Sequence, residues 1–101
     1  MLVGSWQGQD AEAGVTIQLV LHTDHSFSAT VQPFNQNFPT VFDDGVWEVK
    51  DNFLCFTVKQ SSLPNNPLLG VRQSDELLKC TETEVVLKSN TSNTIQRFVR
   101  R

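Results

Sequence analysis

The sequence predicts an all-β protein: a single antiparallel up-and-down β-barrel of about eight strands that takes up residues 1–101 as one domain. The first observation is a period-two alternation of apolar and polar side chains, the repeat that sends neighbours to opposite faces of a strand. The second is the regular spacing of polar turn residues between the alternating runs, with helical spacing nearly absent. Closure into a barrel removes the unpaired edges through which open sheets aggregate.

Four strands are predicted in the first half of the chain, at residues 3–9, 15–22, 27–32 and 46–49. The small polar residues at 23–26 favour a tight turn, which makes the second and third strands a hairpin. Residues 33–39 are bounded by prolines, which cannot donate to a β-ladder, so we expect a loop across one end of the barrel. The adjacent Asp43, Asp44 and Gly45 predict a turn before the fourth strand.

Four more strands are predicted in the second half, at residues 53–60, 71–80, 85–89 and 94–100. Residues 50–52 form a turn that makes the fourth and fifth strands a second hairpin. The stretch 61–70 contains two prolines and two asparagines, and it predicts a loop at one lip of the barrel. Short polar turns at 81–83 and 90–93 separate the last three strands.

Alternation along these strands assigns one set of side chains to the barrel interior, and the set contains no charged residue. An eight-stranded barrel has an interior just wide enough for side chains to fill it or for one small ligand, so a packed core and a ligand cavity both stay open. The last strand is ambiguous, because Ile95 and Val99 compete with Phe98 for the inner face. The assigned set is Trp6, Val15, Ile17, Leu19, Leu21, Phe27, Ala29, Val31, Trp47, Val49, Leu54, Phe56, Val58, Leu78, Cys80, Val85 and Leu87.

The two cysteines are predicted to be reduced thiols. Cys55 is in register with Phe53 and Thr57, whereas Cys80 shares the presumed inner face with Leu78, and side chains on opposed faces are not easily bridged. A shift of one residue in either strand would allow a disulfide and would favour an extracytoplasmic compartment. The N-terminus shows no signal peptide, so the compartment stays open, extracytoplasmic if a leader has been removed.

Composition argues against two kinds of partner. The formal net charge is −3, from 8 Lys and Arg against 11 Asp and Glu, and no basic cluster exceeds the pair Arg100 and Arg101. Such a chain offers no basic field to phosphates, so we expect no nucleic-acid partner. The apolar stretch 15–21 is short and interrupted by Thr16 and Gln18, so we expect no membrane insertion.

Residues suited to catalysis or metal binding are few. His22 and His25 flank Asp24 and could hold a surface metal ion, but two histidines are weak evidence and a solvated turn is the preferred interpretation. Asp43 and Asp44 point to opposite sides of an extended chain and do not meet on one substrate. The serines and histidines do not occur in a sequence pattern typical of a catalytic triad. We therefore expect no enzyme activity, no cofactor and no metal.

The two ends of the chain carry a pair of residues suited to closing the barrel. Trp6 lies on the first predicted strand, two residues after Gly4, and Arg100 lies on the last. These strands are neighbours in a closed barrel, where a guanidinium stacked on an indole gains about 0.5–2 kcal/mol. Its planar fork can also satisfy carbonyls at the base of the barrel. We therefore expect Trp6 and Arg100 to seal one end.

Several segments spread along the whole chain carry a resemblance to a known family: Gly4-Ser5-Trp6, residues 24–27, Gly45-Val46-Trp47, residues 81–87 and Arg100. They resemble the lipocalin and wider calycin pattern, and more closely the short bacterial lipocalin-like domains of about 100 residues. The chain differs from full lipocalins, which are longer and carry a flanking helix, and it has His25 where the family turn usually has Gly. The resemblance implies an eight-stranded meander with a narrow interior and a hydrophobic small-molecule site at one end.

Two functions are weighed on this basis. The first is a non-catalytic binding module for a small hydrophobic ligand at the barrel mouth, which needs an apolar cavity. The second is a protein-interaction or enzyme-inhibitor barrel with a packed interior, which would use the loops 34–38 or 61–70. The sequence leaves the oligomeric state open. The residues expected to line the ligand site are Leu21, Phe27, Trp47, Phe56 and Leu68.

Overall fold

The computed structural model describes residues 2–11, 13–90 and 93–101, and it confirms the predicted fold class. Eight antiparallel strands form one closed barrel in which each strand pairs with the next along the chain and the last pairs with the first. The described residues contain no helix. The strands are β1 (Gly4–Asp10), β2 (Val15–Leu21), β3 (Ser26–Pro33), β4 (Val41–Lys50), β5 (Phe53–Ser61), β6 (Arg72–Cys80), β7 (Glu84–Ser89) and β8 (Ile95–Arg100).

The two ends of the barrel differ in what they carry. Because successive strands reverse direction, one end holds both chain termini and the turns after β2, β4 and β6, and we call it the closed end. The other, the open end, holds the connections after β1, β3, β5 and β7. Leu69 in the loop 62–71 pairs with Val58, so this long loop folds back along β5 at the open end. Two residues of the predicted turn at 90–93 lie outside the described residues.

Side chains from β1 and β8 fill the closed end. The Trp6 indole is 1% exposed, and its Nε1 donates to the carbonyl of Leu2 at 2.8 Å. The Arg100 guanidinium carbon lies 4.3 Å from the centre of the Trp6 ring, within cation–π range. Arg100 also donates to the carbonyls of Val3 and Glu82. The structure thus brings together the two residues expected to seal the barrel.

Gly4 is required by this arrangement for two reasons. Its φ of +137° is a backbone conformation that side-chain-bearing residues rarely adopt. A β-carbon at this position would also overlap the Nη1 atom of Arg100, which crosses β1 here to reach the Val3 carbonyl. The spacing of Gly4 and Trp6 therefore follows from the path of the Arg100 side chain.

The predicted interior set needs correction at Leu78, which is 47% exposed. The β6–β7 ladder pairs Leu77 with Leu87 and then Lys79 with Val86, so Leu78 is bulged out of the register. A bulge reverses the alternation on one side of it, because the extra residue has no partner. Leu77 therefore packs against the core in its place.

Val49 was also assigned wrongly to the interior, since it is 46% exposed near the closed-end rim of β4. The ambiguity in β8 is resolved in favour of Phe98, which is buried, while Ile95 and Val99 are exposed. The buried core is Leu2, Trp6, Leu21, Phe27, Trp47, Leu54, Val58, Val85, Leu87 and Phe98, with Ile17, Leu19, Ala29, Phe56, Leu77 and Cys80 packed against it.

The start of β4 is the main boundary error. Asp43, Asp44 and Gly45 lie within this strand and not in a turn, whereas the other predicted strand ends differ from the observed ones by at most one residue. Asp44 faces outward and accepts a hydrogen bond from the Ser28 hydroxyl at 2.9 Å. Asp43 lies on the opposite face and points into the barrel. The expectation of an uncharged interior is therefore wrong.

Both cysteines are free, as predicted. Cys55 sits on the outer face of β5, buried beside Ser74, whose Oγ lies 3.3 Å from the Cys55 Sγ. Cys80 packs against the interior core at the far end of β6. The two thiols are on opposed faces of the wall, which explains why no disulfide joins them.

Replacing Trp6 by alanine is expected to lower the free energy of unfolding by about 3–5 kcal/mol, as for other buried aromatic side chains. The matched control is Val99→Ala on the neighbouring strand, where an exposed side chain should cost less than about 0.5 kcal/mol. Urea melts of both variants measure the difference. A Trp6→Ala loss below about 1 kcal/mol would contradict a sealing role for the indole.

Candidate ligand site

A cavity of about 320 Å³ opens at the open end and runs into the barrel between all eight strands. Its deep wall is apolar, and the five residues expected to line a ligand site all contribute to it: Leu21, Phe27, Trp47, Phe56 and Leu68. Four of these come from strands, and Leu68 comes from the loop that folds back along β5. The interior is therefore not completely filled by side chains.

Aromatic rings give the deep wall a fixed shape. Phe27 and Phe56 meet edge to face with ring centres 5.9 Å apart, a favoured geometry for aromatic pairs. The Trp47 Nε1 donates to the His22 carbonyl at 3.1 Å, which anchors the indole to the turn between β2 and β3. These contacts hold the rings in place independently of any ligand.

His25 supports Trp47 from the same turn. Its imidazole stacks on the indole with ring centres 5.4 Å apart, and the Trp47 backbone N–H donates to the His25 carbonyl. His25 has a φ of 69°, the left-handed conformation for which glycine is the usual choice. The two histidines thus belong to a turn that covers Trp47. Within the described ranges, no group of three or more potential ligands is arranged to hold a metal ion.

The cavity ends before it reaches the closed end. Leu19, Leu54, Leu87 and Phe98 form its floor and also face Trp6 on the other side. The gap between these residues and Trp6 measures about 10 Å³, which is about the smallest space that holds one water molecule. The closed half of the barrel is therefore packed, and the available volume lies towards the open end.

A ring of polar side chains surrounds the mouth of the cavity. Asp10 accepts hydrogen bonds from the Ala13 backbone N–H at 3.1 Å and from the Gln96 amide at 3.0 Å, so both of its oxygens are engaged. Asp75 accepts a hydrogen bond from the Asn90 backbone N–H. The members of this mouth ring are Asp10, Asp43, Gln73, Asp75, Ser89 and Gln96.

Two atoms of the mouth ring are buried without a partner in the described part of the chain. They are the Oδ1 of Asp43, an acceptor, and the Nε2 of Gln73, a donor. Burial of such a group lowers the free energy of unfolding by about 1–3 kcal/mol, because the group loses its hydrogen bonds to water and makes none within the protein. Asp43 lies on β4 and Gln73 on β6, on the two sides of β5, and both line the cavity. The mouth therefore contains one buried acceptor and one buried donor that no described residue satisfies.

Burial raises the pKa of Asp75 above its ordinary value, because the carboxylate is partly removed from water. The hydrogen bond from the Asn90 N–H opposes this shift but does not cancel it. Asp75 pairs with Leu54 on β5 and with Ser89 on β7, so its immediate ladder neighbours bring no positive charge.

The sequence interpretation missed the mouth ring for two different reasons. Asp10, Asp43 and Gln96 each lie on the inner face at even spacing from a buried aromatic residue, so strict alternation could have found them. Gln73 and Asp75 could not be found in this way, because the bulge at Leu78 reverses the alternation that was counted back from Cys80.

No protein-family model matches this chain, and no curated protein matches it. Among solved structures, the barrel is similar to that of an uncharacterized protein from Bacteroides eggerthii, with a TM-score of 0.62 and 14% sequence identity. The similarity covers 100% of both chains. At this identity it establishes the fold alone, and the closed eight-stranded barrel fits lipocalin-like barrels in general. In the described residues no helix is long and apolar enough to cross a membrane.

Asp75→Asn is expected to make the protein more stable at neutral pH. The pKa of Asp75 is higher in the folded state than its ordinary value of 3.8. The free energy of unfolding therefore falls as the pH rises from about 3.8 through the folded pKa, because the buried carboxyl group then ionises. Asparagine removes this cost and keeps the acceptor for the Asn90 N–H. Urea melts at pH 7 should therefore favour the variant, and the gain should shrink at pH 3.5, where the parent Asp75 is protonated.

The control for this experiment is Asp44→Asn, which removes the charge of an exposed carboxylate on the outer face of β4. It should give no gain at pH 7, since Asp44 is hydrated and accepts a hydrogen bond from Ser28. Equal stabilisation by the two variants would show that general relief of negative charge, and not burial of Asp75, is responsible.

Proposed function

We propose that this chain is a non-catalytic, lipocalin-like binding module of the calycin type that takes a small, largely apolar molecule through the open end. The observation that carries the proposal is the 320 Å³ cavity with an apolar wall, open at the end opposite the packed closed end. Ligand sites in proteins are concave, mostly apolar and furnished with a few polar groups, and their volumes begin at about 300 Å³.

The size of the cavity limits the ligand. If each non-hydrogen atom needs about 30 Å³, the share of one water molecule in the liquid, the cavity holds roughly ten such atoms. The aromatic rings of Phe27, Trp47 and Phe56 would contact the apolar part of this molecule. Because they are already fixed by contacts within the protein, ordering them on binding costs little.

The proposal excludes catalysis because of where the reactive groups lie. Both histidines belong to the closed-end turn between β2 and β3, away from the mouth ring. Asp10 accepts one hydrogen bond on each carboxylate oxygen, from the Gln96 amide and from the Ala13 backbone N–H, so its carboxylate already links β1 to β8 and to the turn after β1. The polar groups at the mouth are suited to orienting a ligand.

Binding of octan-1-ol tests the proposed function. We expect a dissociation constant of about 0.1 mM, if its nine non-hydrogen atoms contribute about 0.6 kcal/mol each. Isothermal titration calorimetry should show a negative heat-capacity change from burial of apolar surface, and Trp47 fluorescence should change on binding.

Ala29→Phe supplies the decisive comparison. Ala29 lines the cavity, so a phenyl group there should occupy its volume and weaken octan-1-ol binding at least tenfold. Thr30→Phe places the same ring on the outer face of the same strand and should leave binding unchanged. Undetectable binding to the parent protein, or equal binding to all three proteins, would reject the proposal.

A second candidate function is supported by the apolar rim around the open end. Phe34 and Phe38 in the loop after β3, and Leu69 in the loop after β5, are at least half exposed. Exposed apolar side chains on loops at the same end of a protein are typical of protein–protein contacts. The chain would then act as an interaction or inhibitor barrel that uses these loops.

Native mass spectrometry of the protein purified from its own host separates the two functions. A bound small molecule is expected under the ligand-binding proposal. A bare protein mass, together with a captured protein that is lost on Phe38→Ser but kept on Ala29→Phe, would favour the interaction barrel. These two variants alter the rim and the cavity separately.

A further inference from the structure

The mouth ring is negatively charged without any cation to balance it inside the cavity. It contains three carboxylates, those of Asp10, Asp43 and Asp75. None of the described residues that line the cavity is a lysine, an arginine or a histidine. The ion pairs among the described residues, such as Lys79 with Glu84 and Arg72 with Glu48, lie at the barrel surface. The entrance therefore favours a positively charged group over a negative one.

The three carboxylates differ in how far the protein satisfies them. Asp10 uses one oxygen for the Ala13 N–H and the other for Gln96. Asp75 receives the Asn90 N–H while remaining partly buried. Asp43 has an Oδ1 that is shielded from solvent and has no partner in the described part of the chain. Asp43 is thus the carboxylate best placed to accept a hydrogen bond from a ligand.

The position of Asp43 relative to the apolar wall sets the shape of the ligand. Asp43 pairs with Ala29, which lines the cavity next to the aromatic rings, so the carboxylate lies where the apolar wall gives way to the mouth ring. A molecule that fills the cavity would therefore place its outer end beside Asp43. The apolar body and the polar end of the ligand would lie along one axis of the barrel.

We infer, on the basis of the proposed function, that the ligand is an amphiphilic amine whose ammonium group donates to Asp43 at the mouth while its alkyl or aryl body fills the apolar cavity. An ammonium has three donors and no acceptor, which matches a ring of carboxylates. Hydrogen bonds between ionised partners are shorter and about twice as strong as neutral ones. The cavity is open at the mouth, so an ammonium there keeps part of its contact with water and its desolvation costs less than in a sealed core.

The test compares three ligands with the same chain length: octylamine, octan-1-ol and sodium octanoate, each titrated at pH 7 by calorimetry. The expected order has octylamine about tenfold tighter than octan-1-ol, and octanoate weakest because its carboxylate meets like charges. Octan-1-ol binding with no preference for octylamine would overturn this inference and leave the proposed function standing. Failure of all three ligands to bind would reject both.

Asp43→Asn tests the assigned contact, because it removes the charge and keeps the shape. Octylamine affinity should fall about tenfold, and octan-1-ol affinity should change less than twofold. Asp44→Asn, the adjacent residue on the outer face, is the matched control and should leave octylamine binding unchanged. Equal losses for octylamine and octan-1-ol in Asp43→Asn would overturn the inference, since they would indicate a general effect on the cavity.

Two further measurements separate a cavity site from adsorption of amine to an acidic protein. Octylamine binding should disappear in Ala29→Phe, because the apolar body then has no room. Asp75→Asn provides a second charge deletion in the mouth ring and should also weaken octylamine more than octan-1-ol. Octylamine binding that survives Ala29→Phe, or that Asp44→Asn reduces as much as Asp43→Asn, would overturn the inference.

Discussion

The seam between β1 and β8 is the constraint on which the rest of the barrel depends. Its ladder pairs residues 6–8 with residues 98–100, so the backbone holds this line over a short length. Trp6 and Arg100 meet across it, and Gly4 leaves the guanidinium its path. Without this closure the sheet would expose two unpaired edges to other chains and would enclose no interior.

Packing at the closed end determines where the cavity lies. Trp6 and Phe98 occupy that half, whereas Ala29 contributes only a methyl group to the wall nearer the mouth. A β-carbon at Gly45 would lie 2.8 Å from the Phe27 ring, so the ring packs against the wall where a side chain would otherwise stand. Large residues at one end and small ones at the other leave the volume on the open side.

Fold class and most strand bounds could be predicted because period-two alternation is a local property of each strand. Residues such as Phe27 and Phe56 were therefore placed correctly on the inner wall. The bulge at Leu78 could not be predicted, because it depends on how β6 pairs with β7 and not on the sequence of β6 alone. Because the bulge reverses the alternation along β6, Gln73 and Asp75 were not assigned to the interior, and part of the charge at the mouth was not predicted.

The mouth ring distinguishes the open end from the closed end, and it supports the proposed function. A barrel interior selected for stability alone would place apolar groups at these positions, since each unpaired buried polar atom costs about 1–3 kcal/mol. The chain instead places the Asp43 Oδ1 and the Gln73 Nε2 at the entrance, while its closed end satisfies the Trp6 indole and the Arg100 guanidinium. Proteins leave buried polar groups without hydrogen-bond partners mainly at sites where a function requires it. The two ends of one barrel differ in this way, and the difference supports the proposal that a ligand at the open end completes the unsatisfied groups.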